Sequence, residues 1–92
     1  MKMKRSEQKL RKAGLGKYID NGSLVVDTRE VLVEVKDSDG DLDWDKTDRL
    51  AKRAMKALGW GGRKAAGGHW YLEKDMVSND AALRDQLGLG AY

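Results

Sequence analysis

Residues 46–58 read KTDRLAKRAMKAL, and the spacing within this stretch decides how the chain folds. At about 100° per residue from Lys46, the group Ala57, Leu50, Ala54, Leu58, Ala51 and Met55 falls between about 20° and 180°. Lys52, Lys56, Arg49 and Arg53 fall between about 240° and 340°. A helix apolar on one side and wholly cationic on the other needs an apolar surface to lie on. The preceding residues 24–36, LVVDTREVLVEVK, supply it. They are rich in β-branched side chains and alternate Val31, Val33 and Val35 against Leu32, Glu34 and Lys36, which predicts strands. Residues 27–30 form either a hairpin turn or the bend of one long strand, since they carry neither Asn-Gly nor Asp-Gly.

Outward from this centre, residues 37–41 (DSDGD) have turn chemistry. Asp43 or Asp45 can accept the free backbone N–H groups of the helix that follows and complement its dipole. Beyond the helix, residues 59–68 (GWGGRKAAGG) predict a glycine-rich loop, and residues 69–73 (HWYLE) a strand with Trp70 and Leu72 on one face. Residues 3–13 predict a short helix with Met3, Ser6, Leu10 and Ala13 on one side, stopped by Gly14 and Gly16. Ser78 can cap a last helix over residues 79–87, with Leu83 and Leu87 spaced to dock. The expected class is α+β, a small antiparallel sheet with helices packed on it in the order αββαβα. Residues 1–92 form one domain, a basic N-terminal helix over 1–17 and a sheet-and-helix core over 24–92, which suits a chain of this length.

Composition narrows the function classes. The chain is 40% hydrophobic and 36% charged, with three Trp, three Tyr, no Phe and no Cys. Without cysteine there are neither disulfides nor thiolate metal sites, which suits a reducing compartment. No apolar run approaches the roughly 20 residues that cross a bilayer, and no basic-then-apolar leader opens the chain, so a cytoplasmic protein is expected. The net charge is only +3 but strongly segregated. Residues 2–17 carry seven basic residues against Glu7, residues 27–48 carry nine acids against Arg29, Lys36 and Lys46, and residues 49–64 carry six basic residues and no acid.

Catalytic and metal chemistry find little support. His69 is the only histidine, which removes a histidine metal site or a paired-histidine acid/base system. Ser6, Ser23, Ser38 and Ser78 lie in no nucleophile-elbow context. The glycine-rich stretch matches neither a phosphate-binding loop nor a dinucleotide fingerprint. The acids Asp37, Asp39, Asp41, Asp43 and Asp45 invite a calcium reading, but placing Gly40 at the sixth loop position puts Val35 first and Lys46 twelfth, where carboxylates are required. A turn with a helix cap accounts for them. No cofactor, no metal and no enzymatic activity are expected.

What remains is a binding surface. Arg49, Lys52, Arg53 and Lys56 repel one another unless solvated or facing an anion. With Trp60, Arg63 and Lys64 beside them they combine charge for phosphate with an indole for stacking. A solvated outer face is the alternative. Trp70 suits the core, and Trp60, set among glycines, suits an exposed anchor. In size, cysteine-poor composition and one-sheet architecture the whole chain resembles the small phage-encoded anti-CRISPR proteins. The cationic helix is similar to inhibitors that lie on the guide-RNA channel of a type I surveillance complex, of the type I-F kind, rather than to acidic DNA mimics. The resemblance implies a monomeric, non-enzymatic inhibitor in the host cytoplasm. It would contact guide RNA and Cas subunits through Arg49, Lys52, Arg53, Lys56, Trp60, Arg63 and Lys64 and block target DNA hybridisation. The competing expectation is a small nucleic-acid-binding accessory or regulatory protein.

Overall fold

Seven elements are seen in the structure, a computed structural model that describes residues 4–76. They are helices α1 (Arg5–Lys12) and α2 (Gly16–Asp20), strands β1 (Leu24–Val26) and β2 (Glu30–Val33), helix α3 (Trp44–Leu58), and strands β3 (Gly61–Lys64) and β4 (Trp70–Glu73). The class is α+β, with a four-stranded antiparallel sheet in the order β1-β2-β4-β3. Because β4 pairs antiparallel with both β2 and β3, those two run parallel to each other, and α3 is the crossover of a split β-α-β unit. Of the two readings of residues 27–30, the hairpin is the one formed. Leu24 faces Val33, Val26 faces Val31, and the Asp27 N–H donates to the Glu30 carbonyl at 2.8 Å.

Alternation along the strands sends Leu24, Val31, Val33, Trp70 and Leu72 to the inner face. There they meet Leu50, Ala51, Ala54, Met55 and Leu58 of α3, together with Leu10 of α1 and Leu15. The predicted wheel holds. The buried positions of α3 lie within the apolar arc, joined by Thr47, whereas Arg49, Arg53 and Lys56 are exposed. Val25, Leu32, Tyr71 and Arg63 form a cross-strand row on the outer face, where Val25 is 55% exposed.

Two differences from the expected order have definite causes. First, Gly14 does not simply stop the chain. In the left-handed conformation (φ 85°) it turns α1 so that the Leu15 N–H donates to the Leu10 carbonyl at 3.0 Å. Leu15 drops into the core and α2 follows, a helix not expected from the sequence. The N-terminal segment therefore contributes two core leucines and packs on α3. Second, the glycine-rich loop expected over residues 59–68 is largely strand: residues 61–64 form β3, paired with β4 from Gly61–Glu73 to Lys64–Trp70. The glycines there serve close approach. A Cβ on Gly62 would stand 2.7 Å from Leu72 Cδ2 and 3.0 Å from Met55 Sδ, inside normal contact distance. The helix expected over residues 79–87 lies outside the described residues. No helix among the described residues is long and apolar enough to cross a membrane.

Two stability measurements check this packing. Leu58→Ala, removing a side chain 4% exposed, is expected to cost about 2–5 kcal/mol in urea unfolding; a loss below about 0.5 kcal/mol would place the wrong helix face on the sheet. Gly62→Ala is expected to cost about 1–3 kcal/mol by overpacking against Leu72 and Met55, where a mobile loop would accept the methyl group without loss.

Candidate nucleic-acid interface

The setting of α3 on the sheet begins at its first turn. Asp43 is the N-cap, its carboxylate accepting the Lys46 N–H at 3.0 Å, while Asp45 stands in the first turn. Upstream, the Asp37 carboxylate builds the turn: its Oδ1 accepts from Asp39 N–H at 2.9 Å and Asp41 N–H at 3.0 Å. Among the described residues no cluster of acids or histidine is arranged to hold a metal ion.

Two adjacent side chains then fix the helix rotation. Thr47, fully buried, accepts from the Val35 N–H at 3.0 Å and donates back to the Val35 carbonyl at 3.3 Å, so one hydroxyl continues the pairing where β2 ends. Asp48 accepts from the Trp70 indole N–H at 2.9 Å and from Lys64 Nζ at 3.1 Å, tying α3 to β4 and β3 together. With Thr47 and Asp48 engaged, Arg49, Lys52, Arg53 and Lys56 must point away from the sheet. Among the described residues none of the four has a carboxylate partner. Asp45 is the one acid on that arc, and no ion pair joins it to Arg49.

The other three residues expected in this surface are placed elsewhere. Trp60 is not an exposed anchor; it is 7% exposed and part of the core. Gly59 ends α3 in the left-handed conformation (φ 73°), and the Trp60 N–H donates to the Met55 carbonyl at 3.2 Å, which folds the indole inward. A glycine followed by a large apolar residue at a helix end was the available signal, because that apolar residue commonly packs back on the last turn. Arg63 lies on the outer sheet face, over the Tyr71 ring at 4.7 Å and paired with Glu73 at 3.3 Å. It relieves a like-charge pair, since Glu73 stands directly across from Glu30. Lys64 is held by Asp48 and sits 5.0 Å from the Trp44 ring centroid. Among the described residues, Trp44, half exposed, is the large aromatic that does reach the surface.

Sequence reasoning missed a cleft beside the cationic arc, about 390 Å³ in volume and lined by Tyr18, Val35, Lys46, Arg49, Leu50 and Arg53. Tyr18 comes from α2, which Arg11 braces against α1: its guanidinium bonds Glu7 at 3.0 Å and Asp20 at 2.9 Å. The Arg11 hydrogen bond holds the Asp20 carboxyl below its ordinary value of 3.8. The spacing of Leu15, Tyr18 and Ile19 was the signal for α2, since apolar residues three and four apart share a helix face. Comparison with protein-family models, curated proteins and solved structures finds no match to this chain.

Asp48→Ala leaves the Trp70 indole N–H buried without its acceptor and is expected to cost about 1–3 kcal/mol in denaturant unfolding. Asp48→Asn, which keeps an acceptor oxygen for Trp70 and removes only the Lys64 ion pair, is expected to lose clearly less. Equal losses from both would assign the main role to the ion pair.

Proposed function

We propose that the protein is a non-enzymatic nucleic-acid-binding protein that lays the exposed arc of α3 on a phosphate backbone. The observation that carries this reading is the grouping of four cations on one exposed helix face. Arg29, Arg63 and Lys64 are each paired with a carboxylate, whereas Arg49, Lys52, Arg53 and Lys56 stand together on one helix face with none among the described residues. Holding four like charges within about 100° of arc is costly at low salt and is relieved by an anion of matching pitch. Side-chain satisfaction supports a binding rather than a catalytic role: His69 packs edge-on against Tyr71 at 5.2 Å, with no carboxylate bonded to it among the described residues.

The more specific form of the proposal takes guide RNA within a type I CRISPR surveillance complex as the polyanion, with Cas subunits alongside and target DNA hybridisation blocked by occlusion. Its support is the resemblance in size, composition and one-sheet architecture, added to the cationic helix. The accessory-protein reading uses the same surface on free RNA or DNA. Capture from a host lysate separates them: Cas subunits recovered with guide RNA support the inhibitor, and bare nucleic acid in a salt-sensitive fraction supports the accessory role.

The direct test is the double variant Arg49→Glu, Arg53→Glu. Binding is expected to weaken strongly, and the slope of log affinity against log salt to fall by roughly one for each lost phosphate contact. Stability should stay within about 0.5 kcal/mol, because both side chains are exposed and neither has an ion-pair partner among the described residues. Unchanged binding would make this a solvated face. Trp44→Ala is the aromatic control, since Trp60→Ala would chiefly damage the core. If Trp44→Ala abolishes association and the charge reversals do nothing, the interface is aromatic and made with protein.

A further inference from the structure

The cleft beside α3 differs in kind from the open cationic arc. Its lining runs across the boundary of the helix: Leu50 belongs to the apolar arc, Arg49 and Arg53 to the cationic one, and Lys46 lies between them. Tyr18 and Val35 close the other side. Both walls are held in place. The reciprocal Thr47 hydrogen bonds fix the backbone of Val35, and the Arg11–Asp20 bond at 2.9 Å ties α2 to α1. Tyr18 is half-buried against the core, with Lys17 Nζ 5.0 Å from its ring centroid.

Phosphates alone need no such concavity, because a charged stripe grips a backbone from outside. A cavity of about 390 Å³ falls in the range of roughly 300–1,000 Å³ typical of small-molecule sites, which combine an apolar lining with a few placed charges. The ligand that matches an aromatic and aliphatic floor with a rim of two guanidiniums and an ammonium is a planar heterocycle carrying a phosphate.

We propose that this cleft receives one unpaired nucleotide of a single strand, its base against Tyr18, Val35 and Leu50 and its phosphate on Arg49 and Arg53, so that the protein selects single-stranded over duplex nucleic acid. The inference rests on the phosphate-binding reading of α3 given above. Bases in a duplex are stacked and paired, and delivering one into the cleft first costs unstacking. A single strand offers its bases freely, and stacking on an aromatic ring tolerates any sequence.

The test compares a labelled 12-nucleotide RNA with the same RNA annealed to its complement, by fluorescence anisotropy at one salt concentration. The single strand is expected to bind at least tenfold more tightly, and Tyr18→Leu to remove about tenfold of its affinity, the loss of one base–aromatic stack. Should Tyr18→Leu fail to fold, the unaltered protein still decides. Its Val35 and Leu50 methyl resonances are expected to shift with adenosine monophosphate and not with inorganic phosphate. Equal affinity for both RNAs, with identical methyl shifts from phosphate alone, would overturn the cleft proposal while leaving the phosphate reading of α3 intact. Binding to neither RNA, or RNA binding that Arg49→Glu, Arg53→Glu leaves unaltered, would overturn both.

Discussion

The rotation of α3 about its own axis is set by two neighbouring polar side chains that reach different strands of the sheet. Thr47 completes the end of β2 through the Val35 backbone, and Asp48 holds the Trp70 indole and the Lys64 ammonium on β4 and β3. Being about 100° apart on the helix, they act as two pegs rather than one, so the helix can neither roll nor slide without breaking a bond to a buried group. The apolar arc then meets the inner sheet face, and the opposite arc faces outward. Among the described residues no buried side-chain nitrogen or oxygen is left without a hydrogen bond, so this polar bracing adds specificity without an orphaned donor.

The same turn device closes both longer helices. At Gly14 and at Gly59 the backbone enters the left-handed region, the next N–H returns to the last turn, and the next side chain, Leu15 or Trp60, enters the core. In each case the chain leaves the helix pointed inward instead of out into a loop. At the second site this brings β3 directly beneath Met55, at a distance that only glycine at position 62 permits. Gly59 and Gly62 therefore specify geometry, the first by backbone conformation and the second by the absence of a side chain.

What was legible in the sequence follows from which signals are periodic. The apolar and cationic arcs of α3, the inward set Val31, Val33, Trp70 and Leu72, and the turn-and-cap role of Asp37 and Asp43 all depend on spacing or on local hydrogen bonding, and both can be read from neighbours. β3 was not legible, because Gly61, Gly62, Arg63 and Lys64 have no strand propensity. They are a strand because β4 supplies their pairing and α3 leaves no room for larger residues. The candidate surface divides the same way. The four helix cations were grouped correctly by periodicity, whereas the positions of Arg63, Lys64 and Trp60 depend on Tyr71, Asp48 and the core, partners remote in sequence. Tyr18 reaches the cleft on α2, whose signal, Leu15, Tyr18 and Ile19, spans barely one turn and lies just past the glycine that reads as a helix stop.

The cationic stripe is short. From Arg49 to Lys56 it advances only about 10 Å along the axis at about 1.5 Å per residue. Directly before it stands the acidic turn of Asp37, Asp39 and Asp41, beside the cap Asp43. A polyanion laid along α3 would thus be attracted over a few charges and repelled at the helix start, which would limit the footprint and give it a direction. A footprint of that length would saturate after a few phosphates, so contact through this face alone would be quick to dissociate. Long residence would require a second, tethered contact that raises the local concentration of the first.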